Sequence, residues 1–160
     1  MVLDLDFGGK HLLAIASLST AQIWDALLRR ETERFIHKKR VNSVHFNKEG
    51  TLLATASLDG TGRIWDSRTG QEYHRLRHSK GVELALFSPD TTLIATVSAN
   101  QAYIWDPRTG HKYHQLEHDD QVQDIQFSPD GQVLLPAPAA PPRSGVCRIR
   151  SRVRCVKVGI

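Results

Sequence analysis

The stretch LDGTGRIWD at residues 58–66 determines how the rest of the chain is interpreted. Gly60 and Gly62 could begin a Gly-x-Gly-x-x-Gly phosphate loop, whose glycines let the backbone approach a pyrophosphate at the start of a helix. Trp65 stands where the third glycine would be, and the Arg-Ile-Trp residues favour a strand. We therefore expect Asp59 and Gly60 to form the turn of a β-hairpin and not a nucleotide site.

Trp-Asp pairs recur at residues 24–25, 65–66 and 105–106, at spacings of 41 and 40. Histidines recur with the same period, and each precedes a valine by four residues. An apolar or small residue follows each valine at the third position and phenylalanine at the fifth. The recurring residues are His37, His78 and His118, with Val41, Val82 and Val122. A fixed period of this length predicts a repeat architecture.

Each period contains four short segments with strand character. In the second period these segments cover residues 41–46, 52–57, 63–65 and 72–76. In the first segment the valine points to one face, and the residues three and five positions later point to the other face. This strand is therefore expected to be buried on both sides. Four strands in about forty residues predict one blade of a β-propeller.

The chain resembles the WD-repeat family over roughly residues 2–135. The motif His-x3-Val followed by Asp-Gly-x3-Ile-Trp-Asp is nearly complete between His37 and Asp66. The resemblance implies an all-β fold, a partial and open β-propeller of four-stranded antiparallel blades with about three complete blades and part of a fourth. The blades are expected at residues 2–36, 41–77, 82–117 and, incompletely, 122–135.

The resemblance also implies a buried hydrogen-bonded tetrad in each blade. In the second blade the matching residues are His37, Ser57, Asp59 and Trp65. An indole N–H only donates, a hydroxyl accepts and donates, and histidine can donate onward to a carboxylate. A Ser-His-Asp set could also be a catalytic triad, but this one recurs with a tryptophan and lacks an oxyanion motif. We therefore interpret it as structural.

The other repeats match the tetrad only in part. The matching residues are Ser17 and Trp24 in the first repeat and His78, Ser98 and Trp105 in the third. Leu18 and Ala99 stand at the position of Asp59. We therefore expect a complete tetrad in the second blade alone.

The sequence offers no motif for a cofactor, a metal ion or a small-molecule substrate. Walker and His-Glu-x-x-His motifs are absent, and Cys147 and Cys155 have no common zinc spacing. His74 and His114 recur on expected outer strands, where a solvated strand face is favoured over a metal site. A propeller enzyme would need ionisable groups converging at inner strand ends, and the sequence indicates no such cluster.

The connections that follow the recurring histidines are the best candidates for binding a partner. They carry Lys38, Lys39, Arg40 and Lys80 on the basic side and Asp119 and Asp120 on the acidic side. The resemblance implies that this loop face binds peptides or other domains, although solvated loops would have the same composition. We therefore expect a non-catalytic protein-interaction scaffold with an unidentified protein partner.

The net charge of +4 comes from the end of the chain. Residues 131–160 contain six Lys and Arg and no Asp or Glu, whereas residues 1–130 contain 15 basic and 17 acidic residues. Residues 136–160 are Pro-rich and then Arg-rich, and we expect a disordered tail outside the propeller domain of residues 1–135. Binding of nucleic acid or an anionic surface by this tail is the alternative function.

Propellers need four to eight blades, so about three and a half repeats are expected to be a fragment of a larger WD-repeat protein. The end blades of such a fragment would expose apolar faces. The sequence also lacks an apolar run long enough for a membrane span or a secretory signal. A cytoplasmic location is expected, with a nuclear one as the alternative.

Overall fold

The computed structural model describes residues 2–9, 11–131, 133–138 and 156–157. These residues form three four-stranded antiparallel sheets in succession and a fourth sheet with three strands. The described part of the chain has no helix that could cross a membrane. The expectation of an all-β, open propeller built from four-stranded antiparallel blades is confirmed.

In every sheet the strands lie side by side in the order in which the chain forms them. The first sheet contains β1 (Val2–Gly8), β2 (Leu12–Ser17), β3 (Thr20–Asp25) and β4 (Arg30–Ile36). The second contains β5 (Val41–Phe46), β6 (Leu52–Ser57), β7 (Thr61–Asp66) and β8 (Glu72–Arg77). The third contains β9 (Leu84–Phe87), β10 (Ile94–Ser98), β11 (Gln101–Trp105) and β12 (Lys112–Glu117). The fourth contains β13 (Val122–Phe127), β14 (Val133–Pro138) and β15 (Val156–Lys157).

Strand β14 continues to Pro138, past the expected end of the blade at residue 135. The register of β13 and β14 explains why proline is tolerated here, because Pro136 pairs with Ile125 at the position where Thr55 pairs with Val44 in the second sheet. The Val44 N–H points out of its sheet, so Val44 and Thr55 exchange no hydrogen bond across the ladder. At the equivalent pair of the fourth sheet, the missing N–H of Pro136 therefore removes no hydrogen bond between β13 and β14.

Most of the expected tail lies outside the described residues. Residues 139–155 and 158–160 include both cysteines and Arg148, Arg150, Arg152 and Arg154. The disorder of the tail, the domain boundary and binding by the arginines therefore stay predictions.

The opening stretch forms the hairpin between β6 and β7. Ser57 pairs with Thr61 across the turn, and Gly60 adopts a positive φ of 84°. A positive φ is accessible to glycine without the steric cost that a Cβ imposes. The glycine therefore serves the turn, and the residues after it continue as a strand.

The apolar cores lie between successive sheets. One face of the first sheet contributes small side chains of β2 and β3 together with Phe35, and the second sheet contributes large ones, including Phe46 and Trp65. The ring centroids of Phe35 and Trp65 are 4.8 Å apart. Equivalent clusters join the second sheet to the third and the third to the fourth. Inner strands β1, β5 and β9 are neighbours, which gives the sheets a common inner side.

Replacement of Phe35 tests the packing between the first two sheets. Phe35 is 2% exposed, whereas the adjacent Ile36 is 69% exposed. Phe35→Ala leaves a cavity against Trp65, and we expect it to lower the free energy of unfolding by about 3–5 kcal/mol. Ile36→Ala is the matched control and should change it by about 0.5 kcal/mol or less. Urea denaturation measures both values, and equal losses would contradict this packing.

Candidate functional site

A buried chain of hydrogen bonds crosses the second sheet and reaches the connection from the first. Trp65 Nε1 donates to Thr55 Oγ1 over 3.0 Å. Thr55 Oγ1 lies 2.9 Å from His37 Nε2, and His37 Nδ1 lies 3.1 Å from Asp59 Oδ2. Because His37 follows β4, the chain of bonds ties the first sheet to the hairpin of the second.

Only one assignment of hydrogens satisfies this chain. The ionised Asp59 carboxylate only accepts, so His37 Nδ1 carries the proton that it donates. Burial and the Arg63 charge lower the pKa of His37, although Asp59 acts in the opposite direction. The imidazole is therefore neutral near neutral pH, and Nε2 accepts from the Thr55 hydroxyl. The bonds all run from indole to hydroxyl to imidazole to carboxylate.

The structure brings His37, Asp59 and Trp65 together but puts Thr55 where the sequence analysis placed Ser57. The register gives the reason. Trp65 pairs with Leu53, so its diagonal neighbour on the same face is Thr55, and Ser57 is two residues farther along β6. Thr55 and Ser57 share a face, and the expected place of Ser57 between tryptophan and histidine is wrong. Counting pairs back from the Asp59 turn would have found Thr55.

Ser57 instead fixes the connection between the first two sheets. Its hydroxyl lies within hydrogen-bond distance of the Lys39 and Arg40 carbonyl oxygens, at 3.2 and 2.9 Å. It also accepts from the Asp59 N–H over 3.1 Å. Asp59 Oδ2 accepts from the Lys38 N–H over 3.1 Å. The backbone of residues 38–40 is therefore held from both sides.

Asp59 is the centre of a wider polar network that includes Arg63. Its carboxylate accepts from the Thr61 N–H and hydroxyl, and from Arg63 Nη2 over 3.0 Å. Burial alone would raise the pKa of Asp59, but the bonds from Thr61 and Lys38 and the contact with His37 lower this pKa to about 2. Arg63, which the sequence analysis did not single out, is itself buried and lies 5.6 Å from the Trp65 ring centroid.

The third sheet contains an incomplete version of the network. Trp105 Nε1 donates to Thr96 Oγ1 over 2.8 Å, and this oxygen lies 3.2 Å from His78 Nε2. His78 Nδ1 is buried and has no hydrogen-bond partner among the described residues. Burial, with a smaller effect of Lys112, lowers the pKa of His78 to about 4.

The missing carboxylate follows from a shorter turn. In the third sheet Ser98 pairs with Gln101, which leaves two residues in the turn, whereas three separate Ser57 from Thr61. No residue therefore occupies the position of Asp59, which corrects the assignment of Ala99 to that position. Ser98, like Ser57, donates to a carbonyl of the preceding connection, here that of Gly81 over 2.9 Å, and does not join tryptophan to histidine.

The first and fourth sheets also lack the hydroxyl that Thr55 supplies in the second sheet and Thr96 in the third. Ile15 occupies the position of Thr55 beside Trp24, and Trp24 is 36% exposed. Ser17, the expected partner of Trp24, lies two residues farther along β2. Pro136 stands at the position of Thr55 in the fourth sheet, and His118 Nε2 is buried without a hydrogen-bond partner in the described part of the chain.

The aspartate of each Trp-Asp pair caps the turn that follows it, a role the sequence analysis did not assign. Asp66 Oδ1 accepts from the Arg68 and Thr69 N–H groups, and Oδ2 accepts from the Tyr73 hydroxyl. The bond from Thr69 is the main reason why the pKa of Asp66 falls to about 2. Asp106 makes the same set of bonds, and Asp25 caps its turn with two.

The side chains of the loop face are exposed in the structure. They are Lys38, Lys39, Arg40, Lys80, Asp119 and Asp120. In each sheet the connections alternate between two ends, so all six lie at the end where the β6–β7 hairpin turns. The described residues contain no group of three His, Cys, Asp or Glu side chains that could hold a metal ion.

At the opposite end the inner strands surround a cleft of about 540 Å³. Asp6, His45 and Lys48 are among its lining residues, so ionisable groups do converge there, contrary to the sequence analysis. Two of these side chains already accept hydrogen bonds from backbone N–H groups. Asp6 Oδ2 accepts from the Phe46 N–H over 2.7 Å, and His45 Nδ1 accepts from the Phe87 N–H over 3.3 Å.

Two hydroxyl deletions distinguish the roles of Thr55 and Ser57. Thr55→Val removes the partner of the Trp65 N–H and of His37 Nε2, and stranding two buried groups should cost about 2–4 kcal/mol of unfolding free energy. Ser57→Ala, the matched control on the same face, should cost about 1 kcal/mol. Chemical denaturation measures both, and a larger loss for Ser57→Ala would reverse the assignment.

Stability should fall with acidification because of His78. The unfolded imidazole titrates near 6.5, and the folded pKa is about 4, so the unfolded state gains a proton first as the pH falls. The stabilisation is complete above pH ~6.5 and is lost down to pH ~4; it amounts to about 3 kcal/mol. Denaturation at several pH values should show a smaller loss in His78→Phe. Parallel pH profiles for this variant and the wild type would contradict the assignment.

Two segments of the chain, residues 31–66 and 70–106, match the family model described as WD domain, G-beta repeat. Each segment starts in or just before the outer strand of one sheet and contains the first three strands of the next, so it includes the connection at His37 or His78. A comparison with curated proteins found none that matches the chain. The two matches and the sheets that repeat with the same period identify the chain as a member of the WD-repeat family.

Proposed function

We propose that the protein is a non-catalytic interaction scaffold that binds an acidic segment of a partner protein through the basic part of its loop face. WD-repeat domains generally mediate protein interactions, and the family is generally non-catalytic. Lys38, Lys39 and Arg40 form the basic part nearest to the complete network. The cytoplasmic location of the protein stays a prediction.

The observation that carries the proposal is a hydrogen-bonded backbone beneath exposed charges. The Lys38 N–H and the Lys39 and Arg40 carbonyl groups are all hydrogen-bonded to Asp59 or Ser57, while the three side chains extend into solvent. A partner that binds here needs to order the side chains but not the backbone. The smaller entropy loss favours binding at this segment over an unanchored loop.

The distribution of charge on the loop face supports an oriented complex. Three consecutive cations follow the first sheet, whereas Asp119 and Asp120 follow the third. An acidic segment is attracted by one side of the loop face and repelled by the other, which favours binding on the basic side. Because these charges are exposed, salt screens them, and the attraction acts mainly on encounter and orientation.

A labelled oligoglutamate peptide provides the probe for this surface. Fluorescence anisotropy should detect binding at low salt that weakens as the salt concentration rises. Reversing the three charges, with Lys38→Glu, Lys39→Glu and Arg40→Glu together, should weaken binding by about tenfold or more, which corresponds to about 1.4 kcal/mol.

The matched control reverses charges at the other end of the first sheet. Arg29→Glu with Arg30→Glu changes two exposed arginines, one in the turn between β3 and β4 and one at the start of β4. These residues are remote from the loop face, so the control should retain most of the affinity of the wild type. Losses in proportion to the number of charges reversed, three against two, would indicate attraction by net charge alone and would refute a site at residues 38–40.

A further inference from the structure

Side chains of one sheet accept hydrogen bonds from the free backbone N–H groups at the inner edge of the next sheet. The inner strand of a sheet has no neighbouring strand on its inner side, and its outward N–H groups need other acceptors. Asp4 Oδ2 accepts from the Val44 N–H over 3.0 Å, and Asp6 does the same for Phe46.

These contacts between neighbouring inner strands, which we call a seam, recur between the second and third sheets with different residue types. Ser43 Oγ accepts from the Ala85 N–H over 3.1 Å, and His45 Nδ1 accepts from the Phe87 N–H. In both seams two acceptors on one inner strand face two N–H groups on the next. The seam is therefore directional, because one side of each sheet carries acceptor side chains and the other side presents backbone donors.

In the described part of the chain, no sheet packs against the side of the first sheet that presents the donors of this seam. Leu5 and Phe7 occupy in β1 the positions that Val44 and Phe46 occupy in β5, so their N–H groups point out of the sheet. Their side chains are 53% and 73% exposed, and Trp24 lies on the same face. In the second sheet the equivalent side chains are buried against the first sheet.

The fourth sheet presents the acceptor side. Asp124 and Gln126 occupy in β13 the positions of Asp4 and Asp6 in β1, and both are exposed. Asp124 Oδ1 accepts from the Ile125 N–H, which leaves its second oxygen available as an acceptor. The preceding seam does not use such acceptors, because Leu84 and Leu86 stand at these positions in the third sheet.

We propose that the first sheet of one copy of this chain packs on the fourth sheet of a second copy, head to tail. In that seam Asp124 and Gln126 accept from the Leu5 and Phe7 N–H groups of the other copy. The apolar face with Leu5, Phe7 and Trp24 becomes buried as the equivalent face of the second sheet already is.

A second copy fits because it supplies both halves of a seam that the chain already forms twice within itself. The first seam buries Phe46 against the first sheet and pairs its N–H with a carboxylate. Phe7 has the same side chain at the same position, but among the described residues no sheet packs beside it. Since the two surfaces differ, the contact is heterologous. In a dimer, the copy that uses its donor side retains a free acceptor side, and the other copy retains a free donor side.

Two variants remove the two halves separately. Phe7→Asp introduces a charge into the donor side, at a residue whose exposure makes a folding defect unexpected. Asp124→Lys with Gln126→Lys replaces both acceptors by side chains that only donate. Leu28→Asp is the matched control for the first variant, since Leu28 is 59% exposed and lies in the β3–β4 turn, away from the sheet face.

Sedimentation equilibrium of the full chain tests the proposal. The wild type and Leu28→Asp should exceed the monomer mass of 18.0 kDa increasingly as concentration rises. Phe7→Asp alone and the double lysine variant alone should remain monomeric. An equimolar mixture of the two should form a dimer, because one intact donor side and one intact acceptor side remain.

Several results would overturn the proposal. A monomeric wild type at the highest attainable concentration excludes the seam. Association that Phe7→Asp abolishes but the double lysine variant leaves intact indicates two first sheets packed face to face. A mixture that stays monomeric excludes a heterologous contact, and circular dichroism of each variant verifies its fold.

Discussion

The hydrogen-bonded chain that runs from the Trp65 indole to the Asp59 carboxylate fixes the position of the second sheet relative to the connection that precedes it. An indole N–H cannot accept and a carboxylate cannot donate, so the two ends impose one direction on Thr55 and His37 between them. His37 belongs to the connection between the first two sheets, and Asp59 belongs to a hairpin of the second. The network therefore joins a turn, a sheet and its neighbour, and it holds the backbone that presents the basic side chains of the loop face.

The sheets depend on one another through two kinds of contact. Apolar side chains pack between their faces, and polar side chains of one inner strand accept the free N–H groups of the next. The repeats fill these positions unevenly. Within the described ranges, the second sheet has a complete network, whereas the third and the fourth are each preceded by a histidine with a buried ring nitrogen that has no hydrogen-bond partner. Because an unpaired buried polar group costs about 1–3 kcal/mol, the second sheet and its contact with the first should be the most stable part of the described structure.

The period and the element types could be predicted from the sequence because several residues recur in register. The tryptophans, the histidines and the Asp59 turn indicated four-stranded blades, and the sheets agree. The partners within the network could not be read from the motif alone. Thr55 and Ser57 have hydroxyl groups on the same face, and only the pairing of Trp65 with Leu53 decides between them. Arg63 was missed for a different reason, since a charged residue at a variable motif position carries no sign that it is buried.

Nitrogen-15 chemical shifts of the histidine side chains near neutral pH test the direction of the network most directly. His37 donates from Nδ1, whereas His45 accepts at Nδ1 from the Phe87 N–H and must carry its proton on Nε2. We expect opposite tautomers in the two rings, with Nδ1 protonated in His37 and Nε2 protonated in His45. A His37 ring protonated at Nε2, or charged, would contradict the bond from Thr55 and with it the chain that joins the first sheet to the second.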